Sequence, residues 1–316
     1  MPIPNPPLKI PSLWPKSVEG VLNIAQAWYD PHRVAVVPIN QLSTALLASI
    51  TPPPKEDILV ESAPSKKLVD SAAFAIAMNS INYRFWDKSP TGEFVRYENN
   101  GKIGALAMTE AFQKSWADPK SPLSLARSQN IPVTVSDIQA LFGEMPDLES
   151  RVTILNEVLI GDTLYKLANE ACDILDGEQL LGAGFASTLA DAFPIAYGDE
   201  VLKKAQLATS FVWREAHNQG YRGDCNVTAF ADYQIPNVLR AMGVLKYAPE
   251  LARSIDKMEF IEINSPDERA IRAASILAVE QLSQTCGVDV ADVDFWIWLK
   301  RREPKTPFHL TNTTAY

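Results

Sequence analysis

A mostly α-helical fold with a small β element is the architecture this sequence predicts, and two observations predict it. From Val135 onward, apolar residues return at helical spacing in one segment after another, and several of these segments open on proline or a capping residue. Only between Glu93 and Gly104 does the pattern change to two short stretches around an Asn99–Gly101 turn, which reads as a small β-hairpin.

Taken in order, residues 1–16 carry six prolines, at 2, 4, 6, 7, 11 and 15, and predict an extended arm without helix. Apolar Ile3, Leu8, Ile10, Leu13 and Trp14 interrupt that arm, so it is expected to lie on the body of the protein. Ser17 is placed to cap a helix through about Tyr29, and a short helix from Gln41 to Ile50 stops before Pro52-Pro53-Pro54. An alanine-rich helix from Ser65 to about Tyr83 runs into N-Y-R-F-W, Asn82–Trp86. Glu93–Tyr97 and Lys102–Gly104 form the expected hairpin, and Ala105–Trp116 returns to helix. Further helices are expected over Val135–Phe142, Leu148–Ile160, Tyr165–Ile174, Glu178–Phe193 and Glu200–His217. The last four are Pro236–Met242, Pro249–Ser254, Asp267–Cys286 and Ala291–Arg301. The sharpest boundary is Ser265-Pro266-Asp267-Glu268: serine caps, proline takes the first helical position, and Glu268 completes a capping box. Gly287 stands where that helix needs a left-handed residue. The organisation reads as an arm over 1–16 and one helical domain over 17–316, or two closely packed lobes.

Composition narrows the function. With 316 residues, 47% of them hydrophobic, the chain can bury a large core. A net charge of −9 repels a polyanion, so binding to a nucleic-acid polymer is not expected. The densest basic cluster, Lys300-Arg301-Arg302 with Lys305 behind it, is too short for a nucleic-acid track and reads as a solvated helix end. A small ligand with one phosphate stays compatible, since it needs only one or two cations in a pocket. Three separated cysteines and three histidines argue against a disulfide framework and a structural zinc site. Neither a signal peptide nor an apolar run of roughly 20 residues is present, so a soluble cytoplasmic protein without membrane contact is expected. The sequence has no P-loop, no GxGxxG after a strand, no GxSxG and no HExxH, which argues against kinases, Rossmann oxidoreductases, α/β-hydrolases and zinc proteases.

The most informative stretch is D-C-N-V-T-A-F-A-D-Y-Q-I-P-N, Asp224–Asn237. Asp232 stands there among Phe230, Ala231 and Tyr233, where a carboxylate loses solvation and is suited to acid or base chemistry. Its position before Pro236 equally suits a helix N-cap, and local sequence favours the cap. Asp199 and Glu200 lie four residues before Lys203 and Lys204, the spacing of two surface ion pairs. The alternative is that Lys203 faces inward and binds an anion, with Gln206 one turn on. Phe85 and Trp86 read as core aromatics, or as a platform for a planar base. Glu268 and Arg272 are spaced to pair, and Glu280, between Ile276 and Leu282, needs a partner if it is buried.

Read together, these blocks resemble the queuosine salvage protein family, the queuosine 5′-phosphate N-glycosylases/hydrolases. The matching blocks run in order from N-Y-R-F-W (Asn82–Trp86) through G-A-L-A (Gly104–Ala107), L-N-E (Leu155–Glu157), F-P (Phe193–Pro194) and K-K-A-Q (Lys203–Gln206). They continue with T-A-F-A-D-Y-Q-I-P-N-V-L (Thr228–Leu239), G-V-L-K-Y (Gly243–Tyr247), E-R-A-I-R-A-A-S-I-L-A-V-E (Glu268–Glu280) and H-L-T-N-T-T-A-Y (His309–Tyr316). Residues 65 to 316 are thus covered. Gln234, Asn237 and Lys204 depart from the family's pattern, which has arginine, glutamine and arginine there, and arginine and lysine are not equivalent at a bidentate site.

The resemblance implies a helical, DNA-glycosylase-like architecture and hydrolysis of queuosine 5′-monophosphate to queuine and ribose 5-phosphate, feeding tRNA modification, with no cofactor and no metal. On that reading Asp232 stabilises an oxocarbenium-like state and activates water. Lys203 holds the 5′-phosphate, Tyr233, Trp86 and Asn82 stack on or edge-bond the base, and Asp199 pairs with the amine of the queuine side chain or with Lys203. Pro236–Met242 and Pro249–Ser254 could form a helical hairpin, without the glycine-rich turn that grips a DNA backbone. Competing readings are a non-catalytic queuine or nucleotide carrier and, behind it, a DNA base glycosylase.

Overall fold

A computed structural model describes residues 13–53, 67–89 and 91–316; the first twelve residues of the proline arm and the expected helix start at Ser65 lie outside the described residues. The chain opens with α1 (Val18–Trp28), β1 (Val34–Val36), α2 (Thr44–Ser49) and α3 (Leu68–Ser80). Short strands β2 (Trp86–Lys88), β3 (Phe94–Arg96), β4 (Glu98–Asn99) and β5 (Lys102–Ile103) follow. Next come α4 (Ala105–Ala117), α5 (Pro122–Gln129), α6 (Val135–Phe142), α7 (Leu148–Leu159) and α8 (Thr163–Asp176). Strand β6 (Leu181–Gly182) leads into α9 (Ala183–Ala192), α10 (Pro194–Tyr197) and α11 (Lys203–Asn218). The remainder is β7 (Cys225–Asn226), α12 (Gln234–Ala241), β8 (Leu245–Tyr247), α13 (Pro249–Asp256), α14 (Pro266–Cys286) and α15 (Val290–Leu299). The fold is mostly α, and every sheet among the described residues is a two-stranded ladder.

Two apolar cores organise these helices. The first is centred on α3, which packs against α8 and α11. Ala72, Ala73, Ala75 and Ala77 are all buried in α3, and their small side chains let neighbouring helices approach on every side. The second core surrounds α14, with α1, α12 and α15 laid on it and Ile271, Ile276, Val279 and Leu282 turned inward. Helix α11 belongs to the first core and the 229–239 segment to the second, so the line between them is where the sequence's most distinctive blocks face one another.

Local chemistry sets most helix ends where the sequence places them. Ser17, Ser43 and Thr134 each cap through the side chain, and Gly287 closes α14 at φ 65°. At the start of α14 the Ser265 hydroxyl accepts the Glu268 N–H at 3.2 Å, but the Glu268 carboxylate takes the Asn264 N–H at 3.2 Å instead of closing the box on Ser265. Helix α5 is missed, although Ser121-Pro122 carries the same cap-and-proline signature.

Three expectations change in the structure. The hairpin is two ladders: β3 pairs back with β2, and β4 pairs with β5. Buried Tyr97 turns the chain between them, its N–H on the Phe85 carbonyl and its own carbonyl taken by Gly104, both at 2.9 Å. The helix expected from Glu178 starts only at Ala183, because Leu181–Gly182 forms a parallel ladder with Cys225–Asn226. A Cβ on Gly182 would sit 2.4 Å from the Asn226 carbonyl oxygen, so only glycine allows the strands this close. Finally, α12 and α13 are separated by β8, which pairs with β1, so a strand stands where a DNA-gripping hairpin would need its turn.

The C-terminal segment folds back over the second core, with Phe308, Leu310 and Tyr316 packed on Trp86 and Tyr233. His309 is buried there, and among the described residues neither ring nitrogen has a hydrogen-bond partner. Burial first, then the nearby Arg272 charge, push its pKa from 6.5 down to about 3. The folded state therefore holds His309 neutral while the unfolded chain protonates it below 6.5, so this contribution is complete above 6.5 and is lost as pH falls toward about 3. The urea midpoint should drop between pH 6.5 and 5, and His309→Leu should flatten that slope; an unchanged slope would show that His309 takes up its proton in the folded protein.

Candidate active site

The segment from Thr228 to Ile235 crosses between the two cores, and almost every polar group on it is held. Gln206 on α11 accepts the Thr228 N–H at 2.7 Å and donates to the Thr228 hydroxyl at 2.9 Å. Asp294 on α15 accepts the Phe230 N–H at 2.8 Å, and Arg272 on α14 donates to the Ala231 carbonyl at 3.2 Å. Asp232 Oδ1 accepts the N–H groups of Gln234 and Ile235 at 2.7 and 3.0 Å. Asp232 thus holds the first amides of α12 from the residue before its N-cap, Tyr233, and it uses one oxygen. Among the described residues no hydrogen bond engages Oδ2.

Asp232 opens onto a cleft of two joined chambers with volumes of about 80 and 70 Å³. Asn82, Leu106, Lys203, Asp232 and Trp298 border both chambers and form their junction. The first chamber adds Trp86, Tyr233, Gln234 and three cations, Arg96, Arg301 and Arg302. The second is walled by Leu207, Phe211, Phe230, Ile235 and Phe295, with Asp294 and Arg214 as its charged groups. One chamber is thus cationic and the other apolar.

Lys203, 4% exposed, is the first residue of α11, and its Nζ makes no hydrogen bond or ion pair among the described residues. Burial lowers its pKa, while the charges of Asp232 and Asp294 pull it back up. Asp294 is 4% exposed, and burial first, with the Asp232 charge adding, pushes its carboxyl up to about 7 against the Phe230 N–H, Lys203 and Arg214. Arg301 stacks 3.4 Å over the Trp298 ring; burial and then Arg302 lower it to about 10.

The aromatic members are tightly set. Tyr233 lies 4.6 Å from Phe308 and edge-on to Trp86 at 6.4 Å, and its hydroxyl accepts the Phe85 N–H at 3.4 Å. Trp86 Nε1 is buried at the first chamber without a partner among the described residues. Asn82 donates to Asn79 Oδ1 at 3.0 Å. Its position follows from Arg151, fully buried, which donates to the carbonyls of Tyr83 and Arg84 at 2.8 and 3.0 Å and also to that of Ile81.

The structure therefore brings Asn82, Trp86, Lys203, Asp232 and Tyr233 to one cleft. Asp199 stands apart: it lines neither chamber, and it pairs with Arg272 at 2.9 and 2.6 Å while accepting the Lys203 N–H at 2.8 Å. Burial alone would raise its pKa, but Arg272 and these hydrogen bonds hold it below the usual 3.8. The surface-pair reading of Asp199 and Glu200 with Lys203 and Lys204 does not hold. Both lysines are buried, Lys204 donates to the Ser80 carbonyl at 2.7 Å, and Glu200 pairs with Arg269. Glu268 does pair with Arg272, at 3.6 Å, and half-buried Glu280 leaves Oε1 without a partner.

Sequence reading missed Arg96, Asp294, Trp298, Arg301, Phe308 and Tyr316 at the cleft. Asp294 carried a usable signal, a carboxylate within D-V-D-F-W, Asp292–Trp296, of the same kind that marks Asp232. Arg301 and Arg302 sit in the cluster read as a solvated helix end, and two of its three residues face the cleft. Among the described residues no helix is long and apolar enough to cross a membrane, and no group of three metal-ligating side chains occurs.

Fold and cleft together define a helical protein with a two-chambered cleft between two cores, one chamber cationic and one apolar. Residues 62–316 match the queuosine salvage protein family, and the chain belongs to that family. It is 29% identical to the queuosine 5′-phosphate N-glycosylase/hydrolase of Sphaerobacter thermophilus, over 94% of this chain and 95% of that one. Identity to the enzymes of the same name is 27% in Dictyostelium discoideum (82% and 83% covered) and 26% in Mus musculus (78% and 83% covered).

Removing the guanidinium that anchors Asp199 leaves a buried carboxylate without its counter-charge. Arg272→Met should cost about 3–5 kcal/mol in denaturant unfolding, whereas Lys166→Met, which breaks an exposed pair with Asp162, should be within error. Equal small losses would mean that the buried pair contributes no more than a surface one.

Proposed function

We propose that this chain hydrolyses the N-glycosidic bond of queuosine 5′-phosphate, releasing queuine and ribose 5-phosphate for salvage into tRNA modification. The observation that carries this reading is the position of Asp232, whose Oδ2 is open at the junction of a cationic and an apolar chamber. A nucleotide has the same polarity: an anion at one end, a flat base at the other, and the scissile C1′–N bond between them. Placed with its phosphate among Arg96, Arg301 and Arg302 and its base in the chamber walled by Phe211, Phe230 and Phe295, the substrate presents C1′ to Asp232.

In this reading the C1′–N bond breaks with its electron pair leaving on the base, and positive charge develops on the ribose. The Asp232 carboxylate stabilises that charge and takes a proton from the water that adds to C1′. Its Oδ1 is fixed by two backbone N–H groups, so Oδ2 is pre-positioned and little reorganisation accompanies the reaction. Lys203 reaches the 5′-phosphate from the junction, with the arginines on the far side. Trp86 and Tyr233 wall the phosphate chamber, where Trp86 Nε1 supplies a donor, and Asn82, at the junction, borders the sugar. Gln234 lines the cationic chamber where relatives of the family pattern have arginine, and Arg301 and Arg302 supply positive charge beside it. Asp199 is occupied by Arg272, so it orients the start of α11 instead of meeting the substrate's amine.

Incubation with a chelator and queuosine 5′-monophosphate should release queuine, faster than base release from the nucleoside or from guanosine 5′-monophosphate. Asp232→Asn should reduce turnover to background while the nucleotide still gives a thermal shift, and a variant that retains activity would sink the assignment. Lys203→Ala should weaken the nucleotide by about 10- to 150-fold relative to the nucleoside, the equivalent of about 1.5–3 kcal/mol for a hydrogen bond to a charged group. Equal losses on both substrates would assign Lys203 to the sugar in place of the phosphate.

A further inference from the structure

The apolar chamber contains a carboxyl group that the reaction described above does not use. Asp294 is buried on α15, and its Oδ1 accepts the Phe230 N–H at 2.8 Å. Among the described residues no hydrogen bond engages its second oxygen, and the side chain borders the chamber assigned to the base. Asp232 borders the same chamber. Two carboxyl groups thus meet one cleft in unlike settings, one at the junction with two amide donors and one within the apolar wall with a single donor.

We propose that Asp294 is the general acid of the reaction, giving its proton to the departing base as the C1′–N bond breaks. The inference rests on the hydrolase reading. A 7-deazapurine has carbon at the position where purines have N7, so the usual site for leaving-group protonation is absent. The bonding pair left on the ring nitrogen then has to be neutralised by a donor inside the base chamber. In the balanced step, the C1′–N electron pair goes to the base, Asp294 gives its proton to the base, and water gives a hydroxyl to C1′ and a proton to Asp232. Exchange with solvent returns a proton to Asp294 and removes one from Asp232.

The surroundings suit this division. Burial carries the Asp294 carboxyl to about 7, so a substantial fraction holds its proton at neutral pH. The charged groups facing it are Asp232 from the crossing segment and Lys203 and Arg214 from α11. On its own helix, Asp292 stands 4.0 Å from Arg214 and so shares that cation.

The test compares two substrates of the full-length protein, queuosine 5′-monophosphate and 4-nitrophenyl β-D-ribofuranoside 5-phosphate, whose leaving group departs as a stable anion. Asp294→Asn, nearly isosteric, should lose about 10²- to 10⁴-fold on the deazapurine nucleotide and less than about tenfold on the nitrophenyl compound. In the wild type, kcat on the nucleotide should fall as pH rises through about 7, following loss of the Asp294 proton. The nitrophenyl compound should show no such limb. Deprotonation of Lys203 would depress both substrates alike, so the contrast isolates Asp294 and needs no variant to be folded. Equal losses on the two substrates, or an identical alkaline limb on both, would overturn the assignment. No base release from the nucleotide by the wild type would overturn the hydrolase reading and this inference with it.

Discussion

The arrangement of the cleft depends on one buried guanidinium. Arg272 reaches from α14 to the Asp199 carboxylate before α11, to the Ala231 carbonyl beside Asp232, and to Glu268 one turn back on its own helix. Glu268 in turn accepts the Tyr316 hydroxyl at 2.9 Å, and Tyr316 packs on the guanidinium at 4.7 Å. Lys203, Asp232 and the C-terminal segment come from distant parts of the chain, and this residue ties all three to α14. Arginine suits the position because its planar fork satisfies both carboxylate oxygens and still leaves a donor for a backbone carbonyl. Two carboxylates facing one arginine also keep that cation charged in a dry interior, where an isolated guanidinium would be costly.

The same principle operates on the opposite wall with a different acceptor set. Arg151 has backbone carbonyls as its direct partners, and it stacks 4.1 Å over the Tyr83 ring. Burial lowers its pKa, and the charge of nearby Asp147 opposes that. The result is a turn in which Arg84 adopts φ 34° and Asn82 is presented to the cleft. Lys204 lies beside the same turn, 4.8 Å over Tyr83; burial and the charges of Lys203 and Arg151 hold its pKa well below the usual lysine value, and its donation to Ser80 is a structural contact. The lysine-for-arginine departure at this position therefore falls on a contact to protein, whereas the glutamine departure at 234 falls on the cleft itself.

Between these walls the cleft holds Lys203, Asp232 and Asp294 with few direct partners. A buried lysine without an ion pair would be unfavourable in a closed core; here two carboxyl groups offset it at longer range, and the open chambers keep it in reach of solvent. The apolar chamber beside it has the opposite demand, since Phe211, Phe230 and Phe295 favour a group that displaces water. The two demands meet at Asp232.

Much of this was legible in the residues themselves. Helix ends follow from short-range chemistry, so Thr134, Ser265 and Gly287 could be read directly, and the carboxylate of F-A-D-Y stood out because its neighbours are apolar. What sequence spacing misread were contacts to distant segments. Asp199 and Lys203 have the i,i+4 spacing of a surface pair, yet Arg272, 73 residues away, takes the carboxylate. Lys300-Arg301-Arg302 looks like a solvated end because nothing local shows that Phe308 and Tyr316 fold back to make a cleft there. By itself, the sequence determined helix content, caps and one carboxylate set among apolar neighbours, all governed by residues within a turn or two. Tertiary structure alone decided which charges are buried and which of them face each other, because desolvation depends on what the rest of the chain lays over a residue.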